Sequence, residues 1–148
     1  MADQYDFSRF PGFQPNPSAS ATSEFARLAR HMNWSPRSKT YKRERSNFMG
    51  SEFCVHFGTE SKLQNWQALC RELQLDIPMA SITQCRKALA RVHVNLVDLI
   101  DSRRTGTAIQ KFSSLSALRL YTLDSGKVFP KNAAKRDGFL KDLLRRIW

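Results

Sequence analysis

The sequence predicts an all-α fold: a single compact domain of about six or seven helices over residues 22–148, preceded by a flexible tail over residues 1–21. Apolar residues recur at spacings of three and four in several segments, the period of a helix with one buried face. Residues that cap helix N-termini precede these segments. The short run from Val92 to Leu96 alternates as a strand would, but no second strand is visible to pair with it. A chain of 148 residues is long enough to bury a core.

The clearest helical pattern lies within residues 61–101. The first helix there begins after Ser61 as its N-cap and ends before Pro78, because proline disfavours the α conformation in the preceding residue. A second helix begins after Ser81 and a third after Asn95, whose side chains suit the N-cap position. These three helices are the expected centre of the domain.

Four further helices are predicted around this centre. The first is capped by Thr22 or Ser23, and the second ends at Gly58, with Gly50 either weakening or breaking its middle. A later helix is capped by Ser114. The predicted spans are about Thr22–Met32, Arg37–Phe57, Leu115–Tyr121 and Asp137–Ile147.

The charge of the chain favours a polyanionic partner. The formal net charge is +11, and the excess of basic over acidic residues rises from zero in residues 1–34 to +6 in residues 105–148. A field of this sign attracts nucleic acid, anionic membranes or acidic proteins. The alternative is a basic, soluble surface without a dedicated partner.

The composition also bears on location. No stretch approaches the roughly 20 apolar residues of a spanning helix, and the N-terminus lacks the basic and apolar regions of a secretory signal. The three cysteines, Cys54, Cys70 and Cys85, lie in or beside apolar helical patterns, which favours reduced and buried thiols. We therefore expect an intracellular protein, nuclear in a eukaryote and otherwise cytoplasmic.

Two segments carry the nucleic-acid hypothesis. The basic run from Arg37 to Arg45 opposes the dipole of the helix that it begins, so helix propensity does not explain it. The helices on either side of Pro78 resemble a helix–turn–helix in their order, with a second helix that presents hydrogen-bonding and basic residues, although the connector is longer than the usual turn. We expect binding to DNA more than to RNA. The candidate contact residues are Arg37, Lys39, Lys42, Arg43, Thr83, Gln84, Arg86, Lys87, Arg103, Arg104, Lys131, Lys135 and Arg136.

The alternative is a protein-interaction module that uses an apolar groove or the N-terminal tail, with either another protein or a second copy of itself as the partner. Phe7, Phe10 and Phe13 are spaced by three among prolines, as in a short docking motif, and Trp148 could anchor an interface. These phenylalanines could equally pack back on their own domain. The amphipathic last helix could bind a partner, but such a helix more often closes its own core.

Catalysis is not expected. The sequence has no phosphate-binding or nucleophile motif, its three histidines are scattered, and no cysteine or histidine spacing suits a metal. Asp98 and Asp101 lie three residues apart, but carboxylates at that spacing usually cap or solvate a helix. We therefore expect no enzyme activity, no cofactor and no metal.

Overall fold

The computed structural model describes residues 4–75, 80–135 and 138–146, and these residues form an all-α domain. The only β pairing in this part of the chain is an isolated bridge in which Phe112 N–H donates to the His93 carbonyl at 2.9 Å. The predicted class and the expected six or seven helices are confirmed. The helices are α1 (Ala21–Met32), α2 (Lys39–Phe57), α3 (Leu63–Glu72), α4 (Ile82–Leu89), α5 (Leu96–Thr105), α6 (Leu115–Ser125) and α7 (Phe139–Arg146), with 3₁₀ turns at Phe7–Arg9 and Lys131–Lys135.

Three of the predicted N-caps are confirmed. The side chains of Ser81, Asn95 and Ser114 each accept a hydrogen bond from the backbone N–H three residues on, at the starts of α4, α5 and α6. These bonds satisfy one of the donors that the first turn of each helix leaves unpaired. The predicted stop at Gly58 is also confirmed, with φ of 100° at the end of α2.

Other predicted boundaries move by a few residues. α1 begins after Ser20, whose hydroxyl accepts a first-turn N–H, and neither Thr22 nor Ser23 is its cap. α2 begins after Ser38 and continues through Gly50, which is buried inside the helix.

Ser61 is not the cap of α3, contrary to the prediction. The N-cap position belongs to Lys62, which makes no side-chain capping bond. The Ser61 hydroxyl instead donates to Asp142 Oδ2 at 2.6 Å and accepts from Trp66 Nε1 at 3.1 Å. The serine thus joins α3 to α7, a contact between distant parts of the chain.

The core surrounds α2, which packs against α1, α3, α5, α7 and the 3₁₀ helix at Lys131–Lys135. Phe48, Phe53 and Phe139 are fully buried, as is Trp66, whose ring centroid lies 4.9 Å from that of Phe139. α7 therefore closes the core of its own domain. The three cysteines are unpaired, and Cys70 and Cys85 are buried.

The N-terminal segment before α1 has no helix beyond its 3₁₀ turn, and aromatic packing attaches it to the domain. Phe10 and Phe13 are only 6% and 8% exposed, and the Phe7 ring stacks on Phe13 with centroids 5.4 Å apart. Phe10 and Phe13 are therefore not available to a partner, whereas Phe7 is only partly buried, and the docking motif stays a prediction. Trp148, the other candidate anchor, lies outside the described residues.

Candidate nucleic-acid interface

The start of α2 places three cations on one exposed face. Lys39, Lys42 and Arg43 follow the Ser38 cap at positions i, i+3 and i+4, which adjoin on a helix surface. All three side chains are exposed, and none forms an ion pair within the described residues. They have the length and charge to contact phosphate groups.

These cations line a cleft of about 360 Å³ between α2 and the 3₁₀ helix at Lys131–Lys135. Ser46 and Asn47 continue the α2 wall, and Asn132 and Ala133 form the opposite wall. The lining contains no carboxylate, so its charge is wholly positive. Hydroxyl and amide groups beside cations can donate hydrogen bonds to phosphate and sugar oxygens.

The one acidic residue in the first half of α2 is held away from this cleft. Glu44 is buried. Its carboxylate accepts a hydrogen bond from the Tyr5 hydroxyl at 2.7 Å and forms a salt bridge with Arg9 at 3.0 Å. Burial acts to raise the pKa of Glu44, but the hydrogen bonds from Arg9 and Tyr5 outweigh it and the pKa is lowered. The carboxylate therefore stays charged and pairs with the N-terminal segment, which leaves no acidic side chain in the lining of the cleft.

Several other acidic side chains are likewise paired inside the domain. Glu72 binds Arg103, Asp98 binds Lys127, and Glu24 and Glu52 both contact Arg104. These pairs leave most surface cations without a partner among the described residues. The exposed cations without an ion pair there are Arg30, Arg37, Lys39, Lys42, Arg43, Lys62, Arg71, Lys87, Arg91, Lys111, Arg119 and Lys131.

Two candidate contact residues already form ion pairs within the domain. The Arg104 side chain is only 5% exposed, with Nη1 2.9 Å from Glu52 and Nε donating to the Ala19 carbonyl at 2.6 Å. Arg103 binds Glu72 at 2.6 Å and lies over the Phe57 ring at 5.0 Å. Burial removes Arg104 from the set of free phosphate contacts, whereas the Arg103 side chain is 41% exposed and pairs with Glu72 at the surface.

The predicted recognition helix, α4, presents only part of its expected set. Thr83, Gln84 and Lys87 are exposed and lie on one face. The Arg86 side chain instead packs against α3 and α7, where its guanidinium group lies 5.4 Å from the centre of the Trp66 ring and 3.8 Å from Asp142. α4 packs against α3, as a helix–turn–helix requires, but part of their connector lies outside the described residues.

The structure therefore divides the candidates into two groups. The first is the cleft, with Lys39, Lys42 and Arg43 on one wall, and Lys131 is exposed at the start of the 3₁₀ helix that forms the other. The second is the exposed face of α4, which is not part of the cleft lining. Arg37 is exposed just before α2. The Lys135 side chain and all of Arg136 lie outside the described part of the chain.

The sequence interpretation missed the four uncharged residues of the cleft, Ser46, Asn47, Asn132 and Ala133. None of them belongs to a motif, so only the packing of the 3₁₀ helix against α2 identifies them. A larger cleft of about 600 Å³ lies at the end of α2, but Glu60 and Lys62 both line it, so its charge is mixed and does not favour a polyanion.

Comparison with known proteins assigns no function. No family model matches the chain, and neither does any curated protein or solved structure. Within the described residues, no helix has both the length and the apolar composition needed to cross a membrane. The same residues contain no group of three or more histidine, cysteine or acidic side chains placed to hold a metal ion.

Proposed function

We propose that this protein is a non-enzymatic, intracellular nucleic-acid-binding protein that holds phosphate groups in the basic cleft of α2. In a eukaryotic cell its place would be the nucleus, and otherwise the cytoplasm. The observation that carries the proposal is the exposed face of Lys39, Lys42 and Arg43, which lines a cleft without a carboxylate. We expect duplex DNA to bind more tightly than RNA.

Salt dependence is the first physical consequence. Each phosphate neutralised by a protein cation releases condensed counterions, so the logarithm of the affinity falls with the logarithm of salt by roughly 0.9 per contact. Three contacts in the cleft predict roughly a 40-fold loss between 50 and 200 mM salt. A ligand held mainly by apolar contacts would not show this loss.

The direct test is a charge reversal in the cleft. Lys39→Glu/Lys42→Glu should weaken binding to a short labelled DNA duplex at least tenfold in fluorescence anisotropy and reduce the salt slope by about two. The matched control is Arg30→Glu/Arg71→Glu, which changes the net charge equally at exposed positions outside the cleft. Equal losses of affinity in both variants would show that net charge alone governs binding, and would refute the assignment of the DNA site to the cleft. No binding by the unaltered protein at low salt would refute the function.

The α4 face is tested separately. Lys87→Glu removes an exposed cation whose side chain has no ion pair within the described residues, so it should alter binding without unfolding the domain. Arg86 is unsuitable for this purpose because it packs on Trp66 and lies near Asp142. If Lys87→Glu weakens a preferred sequence but not a random one, α4 reads bases; equal weakening assigns it to phosphates.

A protein-interaction role is the second candidate function. The burial of Phe10 and Phe13 in the N-terminal segment does not favour it. The observation that does is the outer face of α6, where Leu120 and Leu123 are 63% and 74% exposed. Size measurement of the purified protein, with and without a substitution in this face, tests this role.

A further inference from the structure

α6 exposes an unusual share of its apolar side chains: three of its four leucines face outward, whereas Tyr121 and Thr122 are half-buried on its inner side. Leu118 is its only buried side chain, whereas Leu120 and Leu123 are the two most exposed large apolar residues described. Leu115 is also exposed, at 42%, but lies to one side of this pair. A surface helix of a monomeric domain normally turns its leucines toward the core.

Hydrogen bonds hold the inner side of α6 to α5. Tyr121 donates to Asp98 Oδ2 at 2.6 Å, and Asn95 Nδ2 donates to Thr122 Oγ1 at 3.1 Å. The Lys127 ammonium group, just beyond the helix, donates to Asp98 Oδ1 at 2.8 Å. These polar contacts fix the orientation of α6, so the leucines cannot turn inward without breaking them.

We propose that the outward face of α6 is a self-association surface, and that its occupant is α6 of a second copy of this chain in parallel orientation. Leu120 and Leu123 have the spacing of adjacent seam positions in a two-stranded coiled coil. Arg119 and Asp124 flank this pair on opposite sides, at the positions that form ion pairs between parallel helices. Both are exposed and have no ion pair in the described part of the chain.

Charge complementarity favours a second copy of this chain as the partner that binds the α6 face. Two molecules of net charge +11 repel each other over most of their surfaces. The α6 segment, Leu115–Ser125, is an exception, because it contains one cation and one anion and is neutral. In a parallel pair, each Arg119 lies beside Asp124 of the other copy, so the same face complements itself.

This proposal names the partner for the second candidate function and does not depend on nucleic-acid binding. Light scattering over a concentration series should show the mass rising toward twice that of one chain. Added salt should strengthen the association, because it screens the repulsion between the two basic molecules. Association bridged by contaminating nucleic acid would weaken with salt, so the two causes give opposite trends.

The leucine substitutions test the surface itself. Leu120→Glu/Leu123→Glu should abolish the dimer and leave the helical circular dichroism unchanged, because both positions are exposed. Val55→Glu is the control, since Val55 is also exposed, at 39%, but lies on α2. An equal loss of dimer in both would overturn the assignment to α6, and so would a dimer that survives the leucine substitutions.

Charge exchange tests the self-complementarity. Arg119→Asp and Asp124→Arg should each weaken self-association several-fold, and an equimolar mixture of the two variants should restore it. Failure of the mixture to associate would overturn the proposed pairing of flanking charges. If the unaltered protein stays monomeric at every concentration yet binds another protein through Leu120 and Leu123, the self-association proposal fails while the interaction function survives.

Discussion

Replacing Arg104 with methionine should destabilise the domain strongly while leaving the basic cleft intact. The guanidinium group of Arg104 lies between α1 and α2, where it contacts Glu52 at 2.9 Å and Glu24 at 3.6 Å. It also donates to the carbonyls of Ala19 at 2.6 Å and Asn16 at 2.8 Å. Methionine keeps much of the apolar side chain but removes the charge and every donor, so the variant isolates the polar role.

The magnitude follows from what the substitution leaves behind. The Glu24 side chain is completely buried and that of Glu52 is 13% exposed. Removing one partner of a buried ion pair typically costs about 3–5 kcal/mol, because the remaining charge is left without compensation. Arg27 still pairs with Glu24, and His56 with Glu52, so we expect about 3 kcal/mol. For a domain of this size, that lowers the melting temperature by roughly 6–12 °C.

The pH dependence of this loss has a defined sign. Burial acts to raise the pKa of Glu52, but the hydrogen bond with His56 and the charge of Arg104 outweigh it, so the pKa is lowered from its usual 4.5. A lowered pKa contributes stability above pH 4.5 that is lost as the pH falls through the folded-state value. Arg104→Met removes one cause of the lowering. The difference in stability between the two proteins should therefore shrink in acid.

The assay is urea denaturation followed by circular dichroism at neutral pH and at successively lower pH, with DNA affinity measured on the same samples. Arg104→Lys should have a smaller effect, because it keeps the charge but loses the fork of donors. The reasoning is refuted if Arg104→Met melts within roughly 2 °C of the unaltered protein, a change of under 1 kcal/mol. Loss of DNA binding without loss of stability would instead show that Arg104 contacts DNA.

Two further substitutions test the packing. Gly138→Ala should destabilise the domain by roughly 2–3 kcal/mol, more than Gly106→Ala at about 1 kcal/mol. Both glycines have positive φ, but a Cβ at Gly138 would lie 2.1 Å from the Thr59 carbonyl oxygen, whereas one at Gly106 meets nothing within 4 Å. Equal midpoints in urea would contradict this. Phe10→Ala should cost about 3 kcal/mol if the N-terminal segment is part of the core, and an unchanged thermal melt would show that it is not.

The cationic part of the α2 wall of the proposed cleft was predictable from the sequence. The cations at the start of α2 lie within five residues of one another, so helical spacing alone places them on one face. Asn132 and the cleft itself were not predictable, because they exist only where the 3₁₀ helix meets α2. For the same reason, the sequence offered no way to separate the free cation Lys42 from the buried cation Arg104. Composition counts both equally, and only their surroundings differ.

The sequence by itself determined the class of fold and the approximate positions of the helices. Ser81, Asn95 and Ser114 bond to backbone groups only three residues away, and apolar periodicity is equally local, so these features can be identified without the fold. Tertiary structure decided which charges remain free. Arg104 meets the Ala19 carbonyl across 85 positions of sequence, a pairing that no local pattern encodes. Burial removes some cations into the core and leaves others in water, and that depends on which distant segments pack together.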